Sequence, residues 1–153
     1  EFLSNHEAFA PPNPNLRLLE YVPQDPDQEN LFGIGPHSDY SCLTILNQGP
    51  SRGLDILMPD GAWEAAPMLP GHLLINTGAF LARWCNDRIP ATPHRVINLT
   101  GKLRHSVVFL VATRSDVVVE CMPSCQGPDN PPKYPPLPVG PAIQRKFSGD
   151  YVD

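Results

Sequence analysis

The chain has 153 residues, 41% of them hydrophobic and 18% charged, with 11 basic residues against 16 acidic ones and a formal net charge of −5. That length suits one domain able to bury a core, and the composition is too apolar for a disordered tail. The charge argues against nucleic-acid binding driven by phosphate neutralisation. No apolar run approaches the roughly 18 residues of a membrane helix, and residues 1–10 lack the basic start and apolar core of a secretory signal.

Twenty prolines make about 13% of the chain, against a usual value near 5%. Proline inside a helix costs about 3 kcal/mol, so short strands and turns are expected rather than long helices. Residues 1–9 read as the end of a helix, with Phe2 and Phe9 as apolar contacts, and PPNPN (11–15) reads as a breaker. LRLLEYV (16–22) reads as a strand and 23–30 as a polar loop. Strands follow at 31–37, 43–48 and 54–59, and Asp60-Gly61 is a hairpin signal with its return strand at 62–67. Further strands are expected at 72–78, 92–99, 104–113 and 117–122, with a short helix at 79–87, where apolar residues fall at 80, 81, 84 and 85. A Pro-rich tail (123–141) ends in a short helix at 141–147. This pattern predicts a mainly β fold, a jelly roll with short flanking helices.

Four cysteines lie at 42, 85, 121 and 125, with no C-x-x-C pair. That spacing gives no zinc site. Cys42 and Cys85 read as buried small hydrophobes, and a reducing, cytoplasmic compartment is the default.

Three short motifs could carry chemistry. His37 and Asp39, two apart on an expected strand, would share a face; alone, a strand-end polar pair explains them as well. His94, in Thr92-Pro93-His94-Arg95-Val96, sits on another strand, where a lone histidine is more often a core residue. Two histidines and one carboxylate converging from two strands would form the facial triad that holds iron(II) with open positions. Arg104 and Ser106 also share a face. Arg104 precedes the apolar run VVFLVA (107–112), and a buried guanidinium needs an anionic partner. No carboxylate nearby in sequence supplies one, so a ligand carboxylate is the natural candidate.

The ordered set H-S-D (37–39), T-P-H-R-V (92–96) and R-H-S (104–106) resembles the iron(II)- and 2-oxoglutarate-dependent dioxygenases, in the branch of isopenicillin N synthase and the plant flavonoid and hormone oxygenases. GIGPHSDYSCLTILNQ (33–48) and the stretch 53–96, with its "PG…N-x-G" strand, extend the similarity over residues 16–115. H-x-D and R-x-S each occur once in the chain. The resemblance implies a double-stranded β-helix with residues 1–15 as the remnant of an N-terminal region, 16–122 as the oxygenase core and 123–153 as a Pro-rich tail. It implies iron(II) on His37, Asp39 and His94, with the distal carboxylate of 2-oxoglutarate held by Arg104 and Ser106. Tyr21 matches a tyrosine that hydrogen-bonds the same carboxylate, although Leu19 and Val22 depart from the pattern around it. Ser41 stands where a glycine is common.

The implied reaction, of a kind common in secondary metabolism, uses O2 and oxidises 2-oxoglutarate to succinate and CO2 while a small organic molecule is hydroxylated, desaturated or cyclised. Two other readings stay open: an iron-dependent oxidase without 2-oxoglutarate, of the isopenicillin N synthase type, and a non-catalytic ligand-binding relative. His6, His72 and His105 read as structural or exposed, with His105 pointing away from Arg104. Trp63 and Trp84 read as packing residues. Relatives carry a substantial N-terminal region that is nearly absent here, so an apolar surface or sheet edge is expected to lack its cover.

Overall fold

The computed structural model describes residues 7–9, 13–25, 27 and 31–148. Phe2 and His6 lie outside them. Two four-stranded antiparallel sheets face each other. Strands β1 (Asn13–Tyr21), β8 (Arg104–Ala112), β3 (Leu43–Asn47) and β6 (Leu74–Thr77) form one, in the order β1-β8-β3-β6. The other is β2 (Ile34–His37), β7 (His94–Val96), β4 (Leu54–Leu57) and β5 (Trp63–Ala65), in the order β2-β7-β4-β5. The first four strands alternate between the sheets, and β5 to β8 return in the reverse sense. Eight strands wound in this way make a jelly roll, as the strand spacing predicts.

The β4–β5 hairpin turns at Asp60-Gly61, where Gly61 takes φ 87° and the Asp60 carboxylate accepts from the Ala62 amide at 3.0 Å. Helix α1 (Ala79–Trp84) buries Phe80, Leu81 and Trp84. It stops short of residue 87 because Asn86 and Asp87 adopt left-handed backbone, with φ 53° and 61°. Helix α2 (Val139–Ser148) starts two residues before the expected position. Two short strands, β9 (Val118–Val119) and β10 (Leu137–Pro138), pair beside it.

The expected breaker at 11–15 is corrected: Asn13, Pro14 and Asn15 are strand, with Pro14 opposite Val111. β1 is an edge strand, where a missing amide proton need not cost a ladder bond. Two clusters fill the interior. One joins Phe80, Leu81, Trp84, Val119 and Val139 under the helices; the other joins Tyr21, Leu46, Leu54 and Val96 between the sheets.

Candidate active site

His37 and His94 lie directly opposite each other across the β2–β7 pair. Ile34 faces Val96, so three steps along β2 match two along β7, and the register shifts between Ile34 and His37. Strict alternation from Ile34 would turn residue 37 outward. The irregularity at Gly35-Pro36, on an edge strand that tolerates proline, turns it inward instead. The rings stand 4.4 Å apart between centroids. His37 Nδ1 donates to the Gly35 carbonyl at 2.8 Å and His94 Nδ1 to the Thr92 carbonyl at 3.1 Å. A carbonyl only accepts, so each Nδ1 carries the hydrogen, and in the neutral ring that tautomer leaves the Nε2 lone pair for a metal.

Both Nε2 atoms lie 3.7 Å from Asp39 Oδ1. Burial holds the His37 pKa below its usual value; the Gly35 carbonyl opposes this, while nearby His94 adds to it. The imidazole is therefore neutral near pH 7, the form that ligates. Asp39 is buried, but it lies beyond the end of β2. The expectation that it shares a strand with His37 is corrected: the turn after the strand brings it back to the same place.

Its other oxygen, Oδ2, accepts from the Thr44 hydroxyl at 2.5 Å and from the Asn76 amide at 3.2 Å. Asn76 Nδ2 is also 3.3 Å from His94 Nδ1. That contact is not a second hydrogen bond, because both atoms are donors once His94 bonds Thr92. With Oδ2 engaged, Oδ1 is left to face the two imidazoles. Ligand atoms of His37, Asp39 and His94 lie within 4.8 Å of one another. Two imidazoles and one carboxylate offer a divalent ion three donors and leave its other face open, the donor set suited to iron(II). The sequence reading gave Thr44 and Asn76 no role; Asn76 was visible there as the first residue of N-x-G (76–78).

Arg104 is 1% exposed, and Ser106 beside it is also buried. The residues of β8 alternate as predicted, so His105 points out and pairs with Glu20 at 2.8 Å. Arg104 Nε donates to the Ser51 carbonyl at 3.3 Å. Its guanidinium carbon lies 4.9 Å from the centroid of the Tyr21 ring, which is opposite it across the β1–β8 register. Burial lowers the Arg104 pKa and the Tyr21 phenol, by charge and hydrogen bond, raises it. Gly53 gives the side chain room, since a Cβ there would sit 3.1 Å from Arg104 Cδ.

Arg104 Nη1 and Ser106 Oγ are buried with no hydrogen-bond partner. Leaving such groups unmade costs about 1–3 kcal/mol each, more when charged. Two orphaned donors side by side, one cationic, fit a carboxylate of a bound small acid. A cavity of about 210 Å³ begins at His37, Asp39 and His94 and continues along Leu46, Leu19 and Val108. Leu19 is the register partner of Ser106, and Val108 is the next inward residue of β8. The cavity therefore runs from the three ligand atoms toward the orphaned pair.

The sequence profile of the 2OG-Fe(II) oxygenase superfamily matches residues 13–113. The chain belongs to this superfamily. It is 35% identical over 139 residues to the 2-oxoglutarate-Fe(II) type oxidoreductase hxnY of Emericella nidulans, covering 89% of this chain and 40% of that protein. It is 33% identical over 145 residues to gibberellin 20 oxidase 2 of rice (Oryza sativa subsp. indica), covering 95% and 37%. Among solved structures, a full-length Neurospora crassa protein in complex with alpha-KG and thymine superposes with a TM-score of 0.83 at 25% identity, covering 93% of this chain and 46% of that one. The chain thus spans about 40% of the length of the curated relatives it matches. No helix among the described residues is long and apolar enough to cross a membrane.

Proposed function

We propose that the protein is an iron(II)- and 2-oxoglutarate-dependent oxygenase acting on a small organic molecule. What carries this is the pairing of a three-ligand cluster, which opens into a cavity reaching Leu19 and Val108, with the orphaned Arg104–Ser106 pair on the same inward face of β8. His37 Nε2, His94 Nε2 and Asp39 Oδ1 hold the metal. Arg104 and Ser106, with the Tyr21 phenol beside them, hold the far carboxylate of 2-oxoglutarate. Iron and 2-oxoglutarate together supply the activation of O2, yielding succinate and CO2 and an oxidised substrate.

The residues of this chain do the rest. The Gly35 and Thr92 carbonyls fix the imidazole tautomers, and Thr44 and Asn76 fix the carboxylate. Arg104, desolvated and without an ion-pair partner among the described residues, anchors the cosubstrate so that its other end reaches the metal. Apolar walls from Leu19, Leu46, Leu54 and Val108 keep the reacting centre dry. Four unpaired thiols support a reducing, cytoplasmic setting.

The outer face of the larger sheet presents Leu16 (64% exposed), Leu18 (78%) and Ile75 (63%). In a longer protein, a preceding segment covers this face and completes the substrate pocket. The isolated chain is then less soluble or less active than a longer one, and full turnover of a native substrate by this chain alone would contradict that.

The test is aerobic incubation with iron(II), 2-oxoglutarate and a panel of small organic molecules, with succinate and oxidised product measured by mass spectrometry. Product formed together with succinate supports the proposal. Product without succinate would replace it with a 2-oxoglutarate-independent oxidase. Neither product nor succinate, even from a longer chain, would leave a non-catalytic binding relative.

A further inference from the structure

Asp39 lies on a turn: residues 38–42 belong to no strand, so its place depends on what grips that turn from outside. One grip is local. The Ala79 amide, at the start of α1, donates to the Asp39 carbonyl at 2.8 Å. A second comes from the far end of the chain. Lys146, in the last turn of α2, donates from Nζ to the Ser38 carbonyl at 2.9 Å, a contact spanning 108 residues. The same ammonium lies 4.4 Å from the centroid of the Tyr40 ring. That ring packs edge-on against the buried Phe80 at 5.7 Å.

Ser38 and Tyr40 are the two chain neighbours of Asp39. One cation therefore holds the peptide before the carboxylate residue and the ring after it, by a charge-assisted hydrogen bond and a cation–π contact. The other end of α2 is fixed independently. Val139 is fully buried, and the Val139 and Gly140 amides donate to the Val117 and Ser115 carbonyls at 3.0 and 2.8 Å. The helix thus brings Lys146 to the turn without relying on Lys146 to be held there.

The geometry points to Lys146 as a positioning residue for the metal carboxylate. Helix α2 is a clamp that fixes the turn carrying Asp39, and it lies outside residues 13–113 matched by the superfamily profile. This rests on the reading of His37, Asp39 and His94 as the iron site. Loosening the turn spreads the Asp39 oxygens over positions that do not face the two imidazoles, so iron affinity falls although every ligand is present.

The experiment is anaerobic iron(II) titration of the full chain as wild type, Lys146→Met and Lys146→Arg, with the melting temperature of each metal-free protein. Met keeps the apolar stem and removes the charge. Lys146→Met is expected to weaken iron binding about 10-fold or more, the usual scale for residues that orient ligands. Its metal-free melting temperature should stay within about 2 °C of wild type, and Lys146→Arg should restore much of the affinity. Iron binding by Lys146→Met within twofold of wild type would overturn the inference. So would parallel losses of melting temperature and affinity that Arg does not restore, since a merely structural contact behaves that way. If Lys146→Met fails to fold, Tyr40→Leu, which removes the ring partner of Lys146 together with its edge contact to Phe80, is expected to weaken iron about 3-fold, and unchanged affinity there would overturn the clamp. A wild-type chain that binds no iron overturns the site assignment itself, and the clamp with it.

Discussion

Gly78→Ala tests whether the metal turn is braced by close backbone packing. Gly78 joins β6 to α1 with φ −106° and ψ 171°, a conformation open to any residue. Backbone preference alone would make alanine slightly stabilising, by about 0.4–1 kcal/mol through the unfolded state. Space decides otherwise. A Cβ at residue 78 would lie 2.1 Å from the Ser41 carbonyl oxygen, 2.7 Å from its carbon and 2.8 Å from its Oγ. The first is a clash with main chain, which cannot swing aside.

Relief requires parting strand and turn by about 1 Å. That strains the Gly78 amide bond to the Cys42 carbonyl at 3.0 Å and the Phe80 amide bond to the Ser41 carbonyl at 3.2 Å. Two such bonds at about 1 kcal/mol each and an overpacking cost of about 1–3 kcal/mol outweigh the entropic gain. The net loss is about 2–4 kcal/mol, a large part of a typical 5–15 kcal/mol stability. Urea unfolding should show a lower midpoint at unchanged slope, and iron affinity should fall because Asp39 lies two residues from the displaced carbonyl. Gly35→Ala is the control: nothing lies within 4 Å of its added Cβ, so its stability should change by less than about 1 kcal/mol. A Gly78→Ala protein as stable as wild type would refute the reasoning.

Arg104→Ala should weaken 2-oxoglutarate about 100-fold or more by removing charge-assisted bonds to its carboxylate, while iron affinity changes little; calorimetry with each ligand separates the two, and unchanged cosubstrate affinity would contradict the assignment. Burial pushes the Cys42 thiol up to about 12, so about one molecule in ten thousand is thiolate at pH 8; alkylation read by mass spectrometry should miss Cys42 in the native protein and reach it in urea, and native labelling would contradict its burial. The His37 pKa is lowered in the folded state from 6.5, so the metal-free protein holds the full contribution of a neutral His37 above pH 6.5 and loses it as pH falls below that value. A His37→Gln variant should therefore lose less stability between pH 7 and 5, and identical acid limbs would contradict a desolvated imidazole.

What was legible in the sequence follows from period-two patterning and turn chemistry. Arg104 and Ser106 point inward and His105 outward because β8 is regular, and Asp60-Gly61 makes the hairpin its residues dictate. Trp84 is core, as expected, and packs against Phe9 at 5.9 Å between ring centroids. Three features were not legible, each for a physical reason. Pro14 is tolerated because β1 is an edge, and edges are a property of the assembled sheet. His37 faces inward through a register irregularity that no alternation count contains, and Asp39 reaches the same place from a turn. The contact of Lys146 with Ser38 depends on α2 packing back across the molecule, which local pattern does not encode. The resemblance pointed to His37, Asp39 and His94; the geometry adds the Gly35 and Thr92 carbonyls, Thr44 and Asn76 that contact them, and Lys146 on the neighbouring Ser38 carbonyl.

The most direct test of the central claim is anaerobic addition of iron(II) and then 2-oxoglutarate, watching for the weak visible charge-transfer band of the metal-bound cosubstrate. The account predicts a band in wild type that is lost in His94→Ala. Iron bound without a band, in this chain and in a longer one, would contradict the joined metal and cosubstrate site; a band that survives His94→Ala would contradict the ligand assignment.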